Sequence, residues 1–162
     1  MQRNVLALFL LSILLCGASW SYAQQGAGAS LTAQDYAEIQ QLYARYNHAI
    51  DYGDAEAYAA LFIPDGSFNK FKGHNALMSF IKNRKTTNLR HWNTNLMITG
   101  TPEGANGSVY MMFVDVAVRP PVITAAGKYQ DTLVRTPQGW RFNARVNQFE
   151  APPVALPAAA KP

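Results

Sequence analysis

Apolar residues take three successive spacings along this chain. They run from Val5 to Leu15 broken only by Ser12, then recur at helical intervals, and finally alternate with polar residues toward the C-terminus. In SLTAQDYAEIQQLYARYNHAID the residues Ile39, Leu42, Tyr43, Tyr46 and Ile50 form one stripe, which predicts an amphipathic helix. Thr32 stands as its N-cap, with Asp35 three residues on as the partner of a capping box. Gly53 ends that helix and Asp54 caps a second, AEAYAALF. PDGSFNKF reads as a turn and a short strand; Gly73 then leads into a third helix, HNALMSFIKNRK, with Leu77, Phe80 and Ile81 inward.

Four strand-like runs follow, Leu89 to Thr99, Ser108 to Val118, Thr124 to Arg135 and Gly139 to Phe149, joined by turn chemistry at Pro102-Glu103-Gly104, Pro120-Pro121 and Pro137-Gln138-Gly139. Short connections between consecutive long strands imply antiparallel pairing. The expected fold class is therefore α+β, with three N-terminal helices packed on a curved antiparallel sheet. In the first strand strict alternation puts Leu89, His91, Asn93, Asn95 and Met97 on one face and Arg90, Trp92, Thr94, Leu96 and Ile98 on the other. A histidine and two asparagines in register suit either the lining of a cavity, with the tryptophan and aliphatics packed behind, or a half-exposed strand.

Composition changes the picture mainly at the ends. Arg3, the apolar run and Ser21-Tyr22-Ala23 make residues 1–23 a cleavable signal peptide, with cleavage expected after Ala23 and a periplasmic or secreted destination. The run is too short for a permanent membrane helix, so no stable membrane insertion is expected after cleavage. Leu15 is large where lipoprotein processing wants Gly, Ala or Ser, which argues against lipidation of Cys16. Cys16 is the one cysteine, so the rest of the chain has neither disulfide nor thiol chemistry. Residues 24–30 read as a flexible lead-in, 31–150 as one domain, and 151–162 as a disordered Pro/Ala-rich tail. The net charge of +4 includes no dense basic run, so nucleic acid is not an expected partner.

Candidate chemistry narrows by exclusion. There is no H-E-x-x-H, no C-x-x-C, no glycine-rich phosphate cradle and no G-x-S-x-G elbow, so no metal or cofactor is expected. Acid–base chemistry remains. His48 points away from the helical stripe and reads as a surface residue, and His74 as an exposed residue at a helix start. Asp51 sits at the last turn of the first helix, where the helix dipole gives an anion no help. It is either a capping aspartate of the turn into Gly53 or a partly buried carboxylate answered by a histidine of the sheet, with His91 the candidate.

The segments YARYNHAIDYGDAEAYAALFIPDGSF, GHNALMSFI, RHWNTNLMI and GKYQDTLVRTPQGWRFNAR resemble, in order and spacing, the SnoaL-like branch of the nuclear transport factor two-like superfamily, over about Leu31 to Gln148. The resemblance implies a cone in which the helices close one side of a strongly bent, mixed or antiparallel sheet around an apolar pocket. Its dehydratase and dehydrochlorinase members use an Asp-His pair. The resemblance puts that pair at Asp51 and His91 as catalytic residues, and Tyr46, Asp115 and Arg135 on the pocket wall as substrate-binding residues. Asn95, from the polar face of the strand, joins that binding set. The chain departs from scytalone dehydratase in having no histidine after His91 and only Phe68 and Phe71 near PDGSF, where that enzyme relies on tyrosines.

The function expected is cofactor-independent proton abstraction from a small hydrophobic molecule, followed by elimination or isomerisation, in a lyase or isomerase. The alternative is a non-catalytic protein of the same fold that binds a small hydrophobic ligand or assembles with itself. A homodimer or homotrimer is expected, because Trp92, Leu96, Ile98 and Met112 would otherwise leave an exposed apolar patch.

Overall fold

Thr32 opens the first helix as the spacing predicts. Its side chain accepts from the Asp35 backbone N–H and Asp35 accepts from the Thr32 backbone N–H, so two orphan donors of the first turn are satisfied reciprocally. The computed structural model describes residues 30–84 and 88–151; the expected signal peptide and most of the lead-in and tail lie outside the described residues. Helix α1 spans Ala33–Tyr52 and ends at Gly53, whose left-handed φ of 73° suits glycine. Asp54 caps α2, Ala55–Ala60, by accepting from the Ala57 N–H. The strands β1, Phe62–Phe68, and β2, Phe71–Lys72, form a tight hairpin before α3, His74–Lys82.

The sheet is completed by β3, Leu89–Thr101; β4, Gly104–Asp115; β5, Val122–Thr136; and β6, Gly139–Ala151. Its six strands lie in the order β2-β1-β6-β5-β4-β3, antiparallel except where β1 runs parallel to β6, so the sheet is mixed. The β3–β4 hairpin turns at Pro102-Glu103, and β4 accordingly starts at Gly104 rather than Ser108.

Strict alternation along β3 fails at one place. The pairing of β3 with β4 slips between Thr94 and Met97, and Asn95 takes a left-handed φ of 57° there. Asparagine is one of the few side chains that tolerate this conformation, and the extra residue makes a β-bulge. Parity reverses beyond it: Leu96 and Ile98 turn inward onto the core, while Met97 turns out. Trp92 therefore shares the outer face with Met97, not with Leu96 and Ile98 as alternation predicted.

The inner face packs around an arginine. Arg145 of β6 is fully buried, and its Nε and Nη2 donate to the two Asp131 oxygens of β5 at 2.7 and 2.8 Å. The rings of Tyr43, Tyr46, Tyr129 and Phe142 surround the guanidinium, their centroids 4.1 to 4.7 Å away. Tyr43 also donates its hydroxyl to Asp131, which ties α1 to the sheet. Burial alone would disfavour the cation, but the Asp131 charge and hydrogen bonds outweigh it and hold Arg145 above its ordinary value.

Removing one partner would strand the other charge in this interior. Asp131→Ala is expected to cost about 3–5 kcal/mol in urea unfolding, whereas the apolar pair Asp131→Leu with Arg145→Met costs less than that single change.

Candidate active site

The last turn of α1 and the start of β3 meet at Asp51 and His91. The Asp51 Oδ1 lies 2.5 Å from His91 Nδ1, and both carboxylate oxygens accept from the His91 backbone N–H, at 3.2 and 3.1 Å. Both side chains are almost wholly withdrawn from solvent, at 7 % and 2 % exposure. β3 is an edge strand, so the N–H of His91 would otherwise face outward without a strand partner. Asp51 thus closes the edge and grips the ring at once. The helix dipole disfavours an anion at this turn, and the two donors of His91 offset that cost.

Burial pulls the His91 imidazole below its ordinary value; the Asp51 hydrogen bond and charge oppose this, and the positive charges of Arg84 and Arg145 add to it. The ring is therefore neutral at neutral pH. A carboxylate only accepts, so the single ring proton sits on Nδ1 and is donated to Asp51, which leaves Nε2 as a lone pair. Nε2 has no hydrogen-bond partner among the described residues. The ring lies against Phe113 at 4.5 Å between centroids, and Phe113 meets Phe149 at 5.7 Å. Beside the pair runs an open groove of about 310 Å³ lined by Asn47, His48, Asp51, Arg90, His91 and Trp92.

The other expected site residues do not converge on the pair in the same way. Tyr46 is fully buried against Arg145, with its hydroxyl 3.2 Å from that of Tyr58, as part of the core cluster. Asn95 is exposed at the β3 bulge, where its backbone conformation is its contribution. Asp115, at the end of β4, accepts from the Ala117 N–H at 2.8 Å and closes a turn. Arg135 is a correction. Its side chain is half-exposed and donates to Asp35 at the opposite end of α1, where Trp140 Nε1 also donates at 2.9 Å. Hydrogen bonds from Thr32 and then Trp140 hold Asp35 down at about 2. The resemblance matched Arg135 by its place in the sequence, and only the pairing of the β5–β6 hairpin shows which way it points.

His48 is exposed, as its helical angle predicts, while His74 is partly buried with Nε2 3.0 Å from the Phe62 carbonyl oxygen. Among the described residues no group of three or more His, Cys, Asp or Glu is placed to hold a metal ion, and no helix is long and apolar enough to cross a membrane. Sequence reasoning missed Arg84 and Arg145, the two cations whose charges act on His91. Arg145 is out of step with Phe142 in strict alternation and turns inward because the β5–β6 register slips between them, so it reads in the sequence as an ordinary outward charged strand residue.

Helices at the N-terminus, a curved six-stranded sheet and an aromatic-rich core define an α+β cone. The chain belongs to the SnoaL-like domain family, whose model matches residues 31–146. A function-unknown protein of Mycobacterium tuberculosis is 26% identical, with a TM-score of 0.67 over 74% of this chain and 78% of that one. A protein of Nostoc punctiforme described as having a cystatin-like fold is 25% identical, with a TM-score of 0.68 over 75% and 95% of the two chains. A Catenulispora acidiphila protein solved in complex with S-DNPA is 28% identical, with a TM-score of 0.65 over 74% and 96%. A search of curated proteins found no match.

Because the folded-state value of His91 is depressed, its contribution to stability is full above the ordinary 6.5 and is lost as pH falls from there through the depressed value. NMR titration of the His91 ring is expected to give a midpoint below 6.5, and Asp51→Asn, which removes the opposing charge, to lower it further.

Proposed function

We propose that this chain is an exported, cofactor-independent lyase or isomerase that abstracts a proton from carbon in a small, mainly apolar molecule, with His91 as general base and Asp51 as the residue that orients it. One observation carries the reading: a buried histidine has one ring nitrogen committed to a carboxylate and the other without a hydrogen-bond partner among the described residues. Asp51 fixes the Nδ1–H tautomer, and Nε2 takes the proton. As the ring becomes cationic, the 2.5 Å contact with Asp51 turns into a charge-assisted pair that stabilises the imidazolium. Elimination or isomerisation then follows from the carbanion, and His91 returns its proton to product or solvent. The Catenulispora acidiphila relative solved with S-DNPA supports a ligand-binding role for the fold in this chain as well.

The bond from the His91 backbone N–H to Asp51 favours a second reading, in which the pair is a clasp closing the sheet edge and the protein only binds its ligand. Solvent-deuterium exchange into a panel of small apolar carbon acids, followed by NMR, separates the two. The enzyme reading predicts exchange that His91→Ala abolishes with an unchanged circular dichroism spectrum, and that Asp51→Asn slows by about 100- to 10,000-fold. Exchange retained in His91→Ala excludes His91 as the base, and no exchange across the panel favours the clasp.

The outer face of the sheet supports a homo-oligomer. Trp92, Met97, Tyr110 and Val146 leave 44 to 67% of their surfaces exposed across three strands, the side-chain layer that a second subunit would cover. Trp92→Glu with Tyr110→Glu is expected to shift the protein toward monomer in light scattering.

A further inference from the structure

The free edge of β3 runs along a crevice under the flank of α1. Two cavities of about 310 Å³ each lie there, one against Arg90, His91 and Trp92, the other against Asn93, Thr94, Asn95 and Leu96. Ala44 and Asn47 of α1 line both, so the two adjoin. Successive residues of a strand point to opposite faces, and a cavity that meets three or four of them in a row therefore lies along the strand edge. The run from Arg90 to Leu96 makes the crevice about 20 Å long.

The hydrogen bonds show which backbone groups open into it. Asp51 accepts from the His91 N–H, so His91 directs its main-chain groups away from β4. Residues of the other parity face the opposite way, as when the Asn88 carbonyl accepts from the Val116 N–H at 3.1 Å, just beyond β4. The period of two gives Asn93 the direction of His91, and the register slips only beyond Thr94. Asn93 therefore presents an N–H and a C=O on the side of β3 that no strand covers.

Two side chains add acceptors to this edge. Asn93 donates its Nδ2 to the Tyr110 carbonyl at 3.4 Å, while its Oδ1 is withdrawn from solvent and accepts from no donor among the described residues. The same holds for Asn47 Oδ1, across the crevice on α1. A buried amide oxygen without a donor costs free energy that a donor arriving there would recover. No charged side chain lines the cavity at Asn93.

We infer that the crevice between α1 and the β3 edge binds an extended, uncharged peptide segment of another protein, which lies beside Asn93 as a short added strand and donates to the Asn47 and Asn93 side chains. A peptide backbone is a slim row of alternating donors and acceptors, the complement of this edge. Asp51 already does at His91 what the added strand does at Asn93, offering an acceptor to an outward N–H. A second copy of the chain fits less well, because it would bring its own α1 and Asp51 to the same edge. The segment after Ala151 is a poor occupant too, since Pro152, Pro153 and Pro157 have no N–H to donate. The inference needs the edge and not the base, so it stands apart from the reading of His91.

The test uses the blocked peptide acetyl-Ser-Val-Thr-Val-Ser-amide and amide NMR of the full chain. Saturable shifts are expected at Asn93, Thr94 and Leu96, with hydrogen exchange of the Asn93 N–H slowed at least about tenfold as a new acceptor closes it. A counterpart N-methylated at its three central residues lacks the donors in either register and should bind at least about tenfold more weakly. Asn47→Leu removes the far acceptor and leaves β3 untouched; it should weaken the blocked peptide about tenfold. Wild type without shifts, or with shifts confined to other elements, overturns the inference. Equal binding of the N-methylated peptide, or full affinity in Asn47→Leu, overturns it as well. Protection of Asn93 that grows with protein concentration in the absence of peptide assigns the edge to a second copy instead, and so also overturns it.

Discussion

The buried ion pair of Arg145 and Asp131 is the constraint on which the rest of the cone depends. A charge taken out of water needs partners on every side, and here they come from three elements: β5 gives Asp131 and Tyr129, β6 gives Phe142, and α1 gives Tyr43 and Tyr46. Tyr43 has to cross β4 to reach Asp131. Gly107 of β4 allows this, because a Cβ there would overlap the Tyr43 hydroxyl. The helix can therefore rest on the sheet at only one depth and one rotation. An apolar centre of the same volume would be as stable or more so, and would fix the helix less firmly.

That constraint carries to the site through the regularity of α1. Asp35, Tyr43 and Asp51 each make a polar attachment, to the β5–β6 hairpin, to Asp131 and to His91, and they stand eight residues apart. Each interval is about 12 Å along the axis and about 80° around it, so the attachment point rotates as the helix crosses a twisted sheet. The first two attachments leave the third little freedom. Asp51 arrives at the edge of β3 within reach of both the N–H and the ring of one residue, an arrangement that a helix free to roll would not keep.

The helical stripe, the caps at Thr32, Gly53 and Asp54, and the four long strands were legible because each rests on local chemistry. The juxtaposition of Asp51 with His91 was legible through the family pattern, since their separation of forty residues carries no periodic signal. What was not legible depends on partners distant in the chain. This bulge uses a residue that accepts a positive φ, and Asn95 qualifies, but so do Asn93 and other asparagines; only the pairing with β4 selects it. Arg135 and Arg145 both lie in the last two strands, one half-exposed and the other buried at the centre. Which arginine is inward is decided by strand register, and the register slips between Thr132 and Leu133.

The bulge also explains why β3 carries two kinds of lining. Before it, His91 and Asn93 face α1, where polar groups meet a helix that presents Asn47 and Asp51. Beyond it, Leu96 and Ile98 join the core. A strand of unbroken parity would have to place either the histidine or the aliphatic pair on the wrong side. The reversal at Asn95 lets one edge strand turn a histidine toward the last turn of α1 and, beyond the bulge, turn aliphatic residues into the core. For His91 the cost is burial of an ionisable ring, which Asp51 offsets only in part; the imbalance leaves the imidazole neutral, with Nε2 unprotonated. The same packing that holds the helix in place thus sets the protonation state of the ring.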